Sequence, residues 1–190
     1  MEVQILKYMG LVSLISGWLV IVASITRNPW FVFTQHAFSD LGGHMANDPR
    51  LFNNGMKLTG FFIILYGFYL IKVGLNKASI VGGTFMLITG IFLILIGVFP
   101  SGSMHHVFVS YWFFTQADLT ILAWSLGLIS CNRWRKYGIF FLVLSLGGPI
   151  LAYIVNWPSI ATVEAYGIVI LNIWVLLMIR ITPYLSENHS

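Results

Sequence analysis

The chain has 190 residues, 58% of them hydrophobic and 8% charged, with a formal net charge of +4 and a mean hydropathy of +0.86. Soluble domains carry roughly 25% charged residues, so this composition excludes a water-solvated globule. It also excludes nucleic acid as a partner, because the net charge is small and most Lys and Arg residues sit at the ends of apolar runs, where they mark topology.

Crossing a bilayer takes about 20 mostly apolar residues, and six runs qualify. The first is Lys7–Ile25, too long for the apolar core of a signal peptide and therefore read as a retained helix. A long connection over 26–55 follows. It opens with Trp30-Phe31-Val32-Phe33, an aromatic stretch suited to the membrane interface, and ends with Asn47-Asp48-Pro49, a helix start with Asp as N-cap and Pro in the first turn. The remaining spans are Met56–Leu75, Ile80–Phe99, Val107–Ser130, Tyr137–Val155 and Thr162–Ile181. Short connections at 75–79 and 131–136 make tight helical hairpins. Gly147-Gly148-Pro149 predicts a kink in the fifth helix, since proline removes a backbone donor. The lone Cys131 excludes an intrachain disulfide and any paired-cysteine metal or redox site.

The expected fold class is all-α: one domain, 1–190, built as a bundle of six transmembrane helices with both termini cytoplasmic. That orientation puts Lys7, Lys72, Lys77, Arg133, Arg135, Lys136 and Arg180 inside, and only Arg27, Arg50 and Lys57 outside. The 26–55 connection then faces out from the cell membrane, with the shorter segments 100–106 and 156–161. Glycines recur every seven residues at Gly60, Gly67 and Gly74, and again at Gly83, Gly90 and Gly97. Gly10, Gly17 and Ser24 form a third line. Such seams let helix backbones approach closely in lipid.

Chemistry concentrates in the outer connection. His36 and Asp40 are four residues apart, so one helical turn places them on a common face. Gly42-Gly43 should end that turn and leave His44 outside the set. His105 and His106 come from the next outer segment, and Glu164 from the outer end of the sixth helix. Imidazole and carboxylate are the ligands zinc uses, so His36, Asp40 and His106 form a candidate divalent-metal site able to activate water. A metal-free alternative uses Ser39 as nucleophile with a histidine as base. In either version Ser39, Asp40, His36 and His106 are the candidate catalytic residues, and Asn53, His105 and Glu164 the candidate substrate contacts. Against these stands a structural reading in which the same groups tie the connection to the helix ends.

The stretches Ser39-Asp40-Leu41-Gly42, Leu51-Phe52-Asn53-Asn54-Gly55 and Gly97-Val98-Phe99-Pro100, with His106 before Phe113-Phe114, resemble a family of uncharacterised six-helix prokaryotic membrane proteins, classed as a domain of unknown function. The resemblance covers nearly the whole chain and implies six helices but no activity. It directs attention to Ser39, Asp40, Asn53 and His106. A looser similarity to ceramidase-type membrane hydrolases rests on Ser, Asp and several His near one face. Those enzymes have seven helices and late-helix histidines that this chain lacks.

Asp118 lies about 16 Å into the fourth span at 1.5 Å per residue, near the midplane. It is expected to stay neutral and to donate a hydrogen bond to Asn172, the polar group closest in depth. Three functional classes result. One is an outer-face hydrolase acting on a lipid or other membrane-embedded substrate. Another is a non-catalytic membrane subunit or lipid-binding module. The third is a small proton-linked transporter centred on Asp118. Membrane lipids and a second membrane subunit are the partners these classes imply.

Overall fold

In lipid the backbone of an apolar run has no partner but itself, so each span closes its own hydrogen bonds as a helix. The computed structural model describes residues 3–186. Its helices are α1 (Val3–Arg27), α2 (Pro49–Lys72), α3 (Lys77–Val98), α4 (His106–Ile129), α5 (Arg135–Ile154), α6 (Ile160–Ile181) and the one-turn α7 (Pro183–Ser186). Six of them are long and apolar enough to cross a membrane, and no strand occurs among the described residues. The chain is thus an all-helical, multi-pass membrane protein.

Local chemistry sets the boundaries. α2 starts at Pro49, two turns before its apolar run, as the Asn-Asp-Pro sequence implies. Asp48 occupies the N-cap position, yet its side chain makes no capping hydrogen bond, contrary to the sequence expectation. α3 begins with a reciprocal cap: Ser79 N–H donates to Asn76 Oδ1 at 3.1 Å, and Asn76 N–H to Ser79 Oγ at 3.0 Å. The Asn76 amide also donates to Gly127 O at 3.0 Å, fastening the α2–α3 hairpin to α4.

Glycine seams bring the helices together. A Cβ at Gly90 would lie 2.6 Å from the Gly60 carbonyl oxygen, so α2 and α3 meet backbone to backbone. Gly10 faces the Tyr66 ring and Gly17 faces Thr59, which seats α1 on α2. α5 packs on α4 through Gly138, against Ile129 and the Ser125 carbonyl, whereas a Cβ at Gly147 would meet nothing within 4 Å. α5 therefore hugs the bundle near its start and leaves an open flank later. Its helix runs through Pro149 without interruption.

The first turns of α1 and the end of α6 lie at one end of the bundle. The Tyr69 hydroxyl, near the end of α2, donates to Thr182 Oγ1 just after α6 at 2.8 Å, and the start of α1 touches Tyr66. The opposite end carries the long connection. His189 falls outside the described residues.

A candidate binding cleft at one end of the bundle

The connection after α1 is pinned at its base by two amides, Asn28 and Asn47, the latter donating from Nδ2 to Arg27 O at 2.8 Å. Asn28 Nδ2 donates to Ser24 O at 2.8 Å, ending α1, while Asn28 Oδ1 accepts from Asn47 N–H at 2.7 Å and Trp30 Nε1 at 3.1 Å. These bonds bring the two ends of the excursion together. Its centre is a 3-10 turn, Phe38–Gly42, with Phe38 and Leu41 buried beneath it. Phe38 sits edge-on to Trp18 of α1 at 6.4 Å between ring centres.

The α3–α4 connection, α2 and α6 hold that turn and the residues before it. Asp40 Oδ2 accepts from Ala37 N–H at 2.9 Å, and Asp40 Oδ1 accepts from the Ser101 hydroxyl, in the α3–α4 connection, at 3.0 Å. Asn53 of α2 donates to Gly42 O at 2.9 Å, and any Cβ at Gly42 would collide with Asn53 and Phe52. Glu164 of α6 accepts from Phe38 N–H at 2.7 Å, while Ala161 N–H donates to His36 O at 2.9 Å. The Ser159 hydroxyl donates to Phe33 O at 2.6 Å.

A cleft of about 490 Å³ opens beside the turn, lined by Trp30, His36, Asp40, His44, Met45 and Ser101 together with Gly43 and Gly102. His36 Nδ1 lies 2.9 Å from Val32 N–H and 3.2 Å from Val32 O. The ring stands edge-on to Trp30 at 5.1 Å. Gly102 has φ of +89°, a conformation that favours glycine, and a Cβ there would come within 3.4 Å of His44 Nδ1. The exposed His44 forms the opposite wall.

Of the residues singled out in the sequence, His36 and Asp40 share this cleft. His106 does not line it: its buried ring places Nδ1 2.8 Å from Phe99 O, and Nε2 3.4 Å from the Ser110 hydroxyl. Among the described residues, no three His, Cys, Asp or Glu side chains are grouped to hold a metal ion. The expected His36–Asp40–His106 set is therefore not assembled, because the Phe99 carbonyl claims the third imidazole. Ser39 is buried and, among the described residues, no hydrogen bond joins it to a histidine. His105 is exposed, with its ring edge-on to Phe99 at 5.2 Å. Asn53 and Glu164 act as clamps on the turn. His44 and Ser101 belong to the cleft although the sequence reading left His44 aside and missed Ser101. Their meeting joins two separate loops, and no local spacing announces it.

The midplane pair also differs from expectation. With its amide oriented to satisfy both ends, Asn172 Oδ1 accepts from Trp18 Nε1 at 2.7 Å and Nδ2 donates to Ile168 O at 3.1 Å. Asp118, on the half-open face of α4 that continues from the exposed Tyr111 and Thr115, has no hydrogen-bond partner among the described residues.

A six-helix membrane bundle with a cleft at the end that carries the α1–α2 connection defines the class of protein. Residues 11–181 match the family described as "Protein of unknown function (DUF998)", and the chain belongs to that family. No curated protein and no solved structure matches the chain.

Proposed function

We propose that this protein is a binding module of the cell membrane whose outward-facing cleft takes the head group of a lipid or other amphiphile bearing an ammonium group. The observation that carries this reading is the lining of the cleft: the Asp40 carboxylate, the Trp30 ring and two imidazoles, with no Lys or Arg. Asp40 is held by two donors, which fixes its position and leaves its negative charge uncompensated by any cation of the lining. Glu164, on the far side of the same turn, is occupied by Phe38 N–H and does not line the cleft. An ammonium group over an indole face gains about 0.5–2 kcal/mol depending on desolvation. The volume falls within the ordinary range for small-ligand sites. The outward orientation rests on the Lys and Arg distribution.

Calorimetric titration of the detergent-purified protein tests this directly. An octyl chain carrying an ammonium head should bind, whereas octyl sulfonate should not. Asp40→Asn and Trp30→Leu should each weaken binding by about tenfold, the equivalent of 1.4 kcal/mol. Equal binding of the two amphiphiles, or binding indifferent to both substitutions, would overturn the reading.

A second reading, hydrolysis of an ester or amide in the bound amphiphile, is favoured by the His36 and His44 imidazoles opening on the same cleft as the Ser101 hydroxyl. An imidazole there can serve as general base toward water. His44→Gln should then abolish turnover even at amphiphile concentrations that saturate the variant. Release of product at the wild-type rate by His44→Gln would exclude His44 as the base.

A further inference from the structure

A second cavity of about 90 Å³ lies between the helices of the bundle, lined by α1, α2, α3, α4 and α6. Most of its wall is apolar, but Ser13, Thr59, Tyr66 and Asn172 also line it. Three of these have protein partners. The Ser13 hydroxyl donates to Gly10 O at 2.7 Å, and the Thr59 hydroxyl donates to Gly55 O at 2.9 Å and meets Ser16 Oγ at 2.8 Å. Asn172 is satisfied by Trp18 and Ile168. Tyr66 differs: it is 1% exposed, and no described group pairs with its hydroxyl.

A buried hydroxyl left unmatched is costly, and lipid around the bundle supplies nothing to match it. The Ser13 and Thr59 oxygens have lone pairs to spare, so donors and acceptors face one space. No charged side chain lines that space, which argues against an ion. Its volume is far below that of a drug-sized pocket, whereas a water molecule takes about 30 Å³.

We infer that this cavity is a binding site for a cluster of about three water molecules, with the Tyr66 hydroxyl as donor and the Ser13 and Thr59 oxygens as acceptors. On either side of the cavity the neighbouring hydrogen bonds give way to ring contacts. Thr182 bonds Tyr69, whose ring stacks on Tyr66 at 6.0 Å, and across the cavity Asn172 bonds Trp18, whose ring meets Phe38 beneath the outer cleft. The inference stands on the interior residues alone and does not depend on what the outer cleft binds.

X-ray radiolysis of the full-length protein in nanodiscs is the test, because hydroxyl radicals formed from bound water oxidise adjacent side chains. Met86, which lines the cavity and is only 1% exposed, should be oxidised at a rate comparable to the exposed Met104. In Tyr66→Phe, which removes a single oxygen, oxidation of Met86 should fall several-fold while that of Met104 stays constant. Should Tyr66→Phe fail to fold, Ser13→Ala reads out the same loss. Met86 remaining unmodified in the wild type would overturn the inference. So would oxidation of Met86 undiminished in the variant, since the cavity would then be open to general solvent.

Discussion

Removing the Asp40 carboxylate should loosen the whole excursion between α1 and α2. Asp40→Ala deletes the acceptor for Ala37 N–H at 2.9 Å and for the Ser101 hydroxyl at 3.0 Å. Hydrogen bonds to a charged group contribute about 1.5–3 kcal/mol each, and the partial exposure of Asp40 favours the low end, so the expected loss is about 3 kcal/mol. Asp40→Asn keeps one acceptor oxygen and should cost about half as much. Ser101→Ala should cost about 1 kcal/mol, and the Asp40→Ala, Ser101→Ala cycle should show a coupling of about 1–2 kcal/mol. Reversible unfolding in mixed micelles, followed by tryptophan fluorescence, measures the wild type and all four variants. A loss below about 0.5 kcal/mol for Asp40→Ala, or a coupling of zero, would refute the latch.

Gly90→Val should destabilise the bundle by about 1–3 kcal/mol, because its side chain meets the Gly60 backbone, whereas Gly147→Val should be close to neutral; thermal aggregation of the two variants compares them. Asn172→Leu should cost about 1 kcal/mol through loss of the Trp18 bond, and Asp118→Leu should cost nothing, since no described group bonds to it; a larger loss for Asp118→Leu in micelle unfolding would reverse that assignment. For orientation, Asn47→Cys and Ser103→Cys should react with an impermeant thiol reagent applied outside cells, and Cys131 should not. Labelling of Cys131 from outside would invert the topology.

The helices were legible because hydropathy and length alone define a span, and Asp48-Pro49 even placed the start of α2. The glycine lines likewise reported real seams, as at Gly60 and Gly90. His36 and Asp40 do open on one cavity, but not by the expected helical turn, since the 3-10 turn begins at Phe38 and His36 precedes it. The remainder depended on geometry that no local pattern encodes. Ser101 reaches Asp40 across 61 positions. His106 looked available but turns to the Phe99 carbonyl, seven residues back, at the break between α3 and α4. The Asp118–Asn172 pairing failed for a related reason. Depth along a helix was readable from residue number, but the direction each side chain faces around the helix was not, and Asn172 faces Trp18.

The central claim is that the cleft receives an ammonium-bearing amphiphile in the membrane, and photo-crosslinking in intact membranes tests it most directly. A benzophenone amino acid replacing the exposed His44 samples the mouth of the cleft, and the same group replacing Tyr153, 91% exposed near the end of α5, samples the surrounding lipid. The account predicts that mass spectrometry finds ammonium-bearing adducts enriched at position 44 over position 153, and that Asp40→Asn abolishes the enrichment. Identical adducts at the two positions, or an enrichment indifferent to Asp40→Asn, would contradict it.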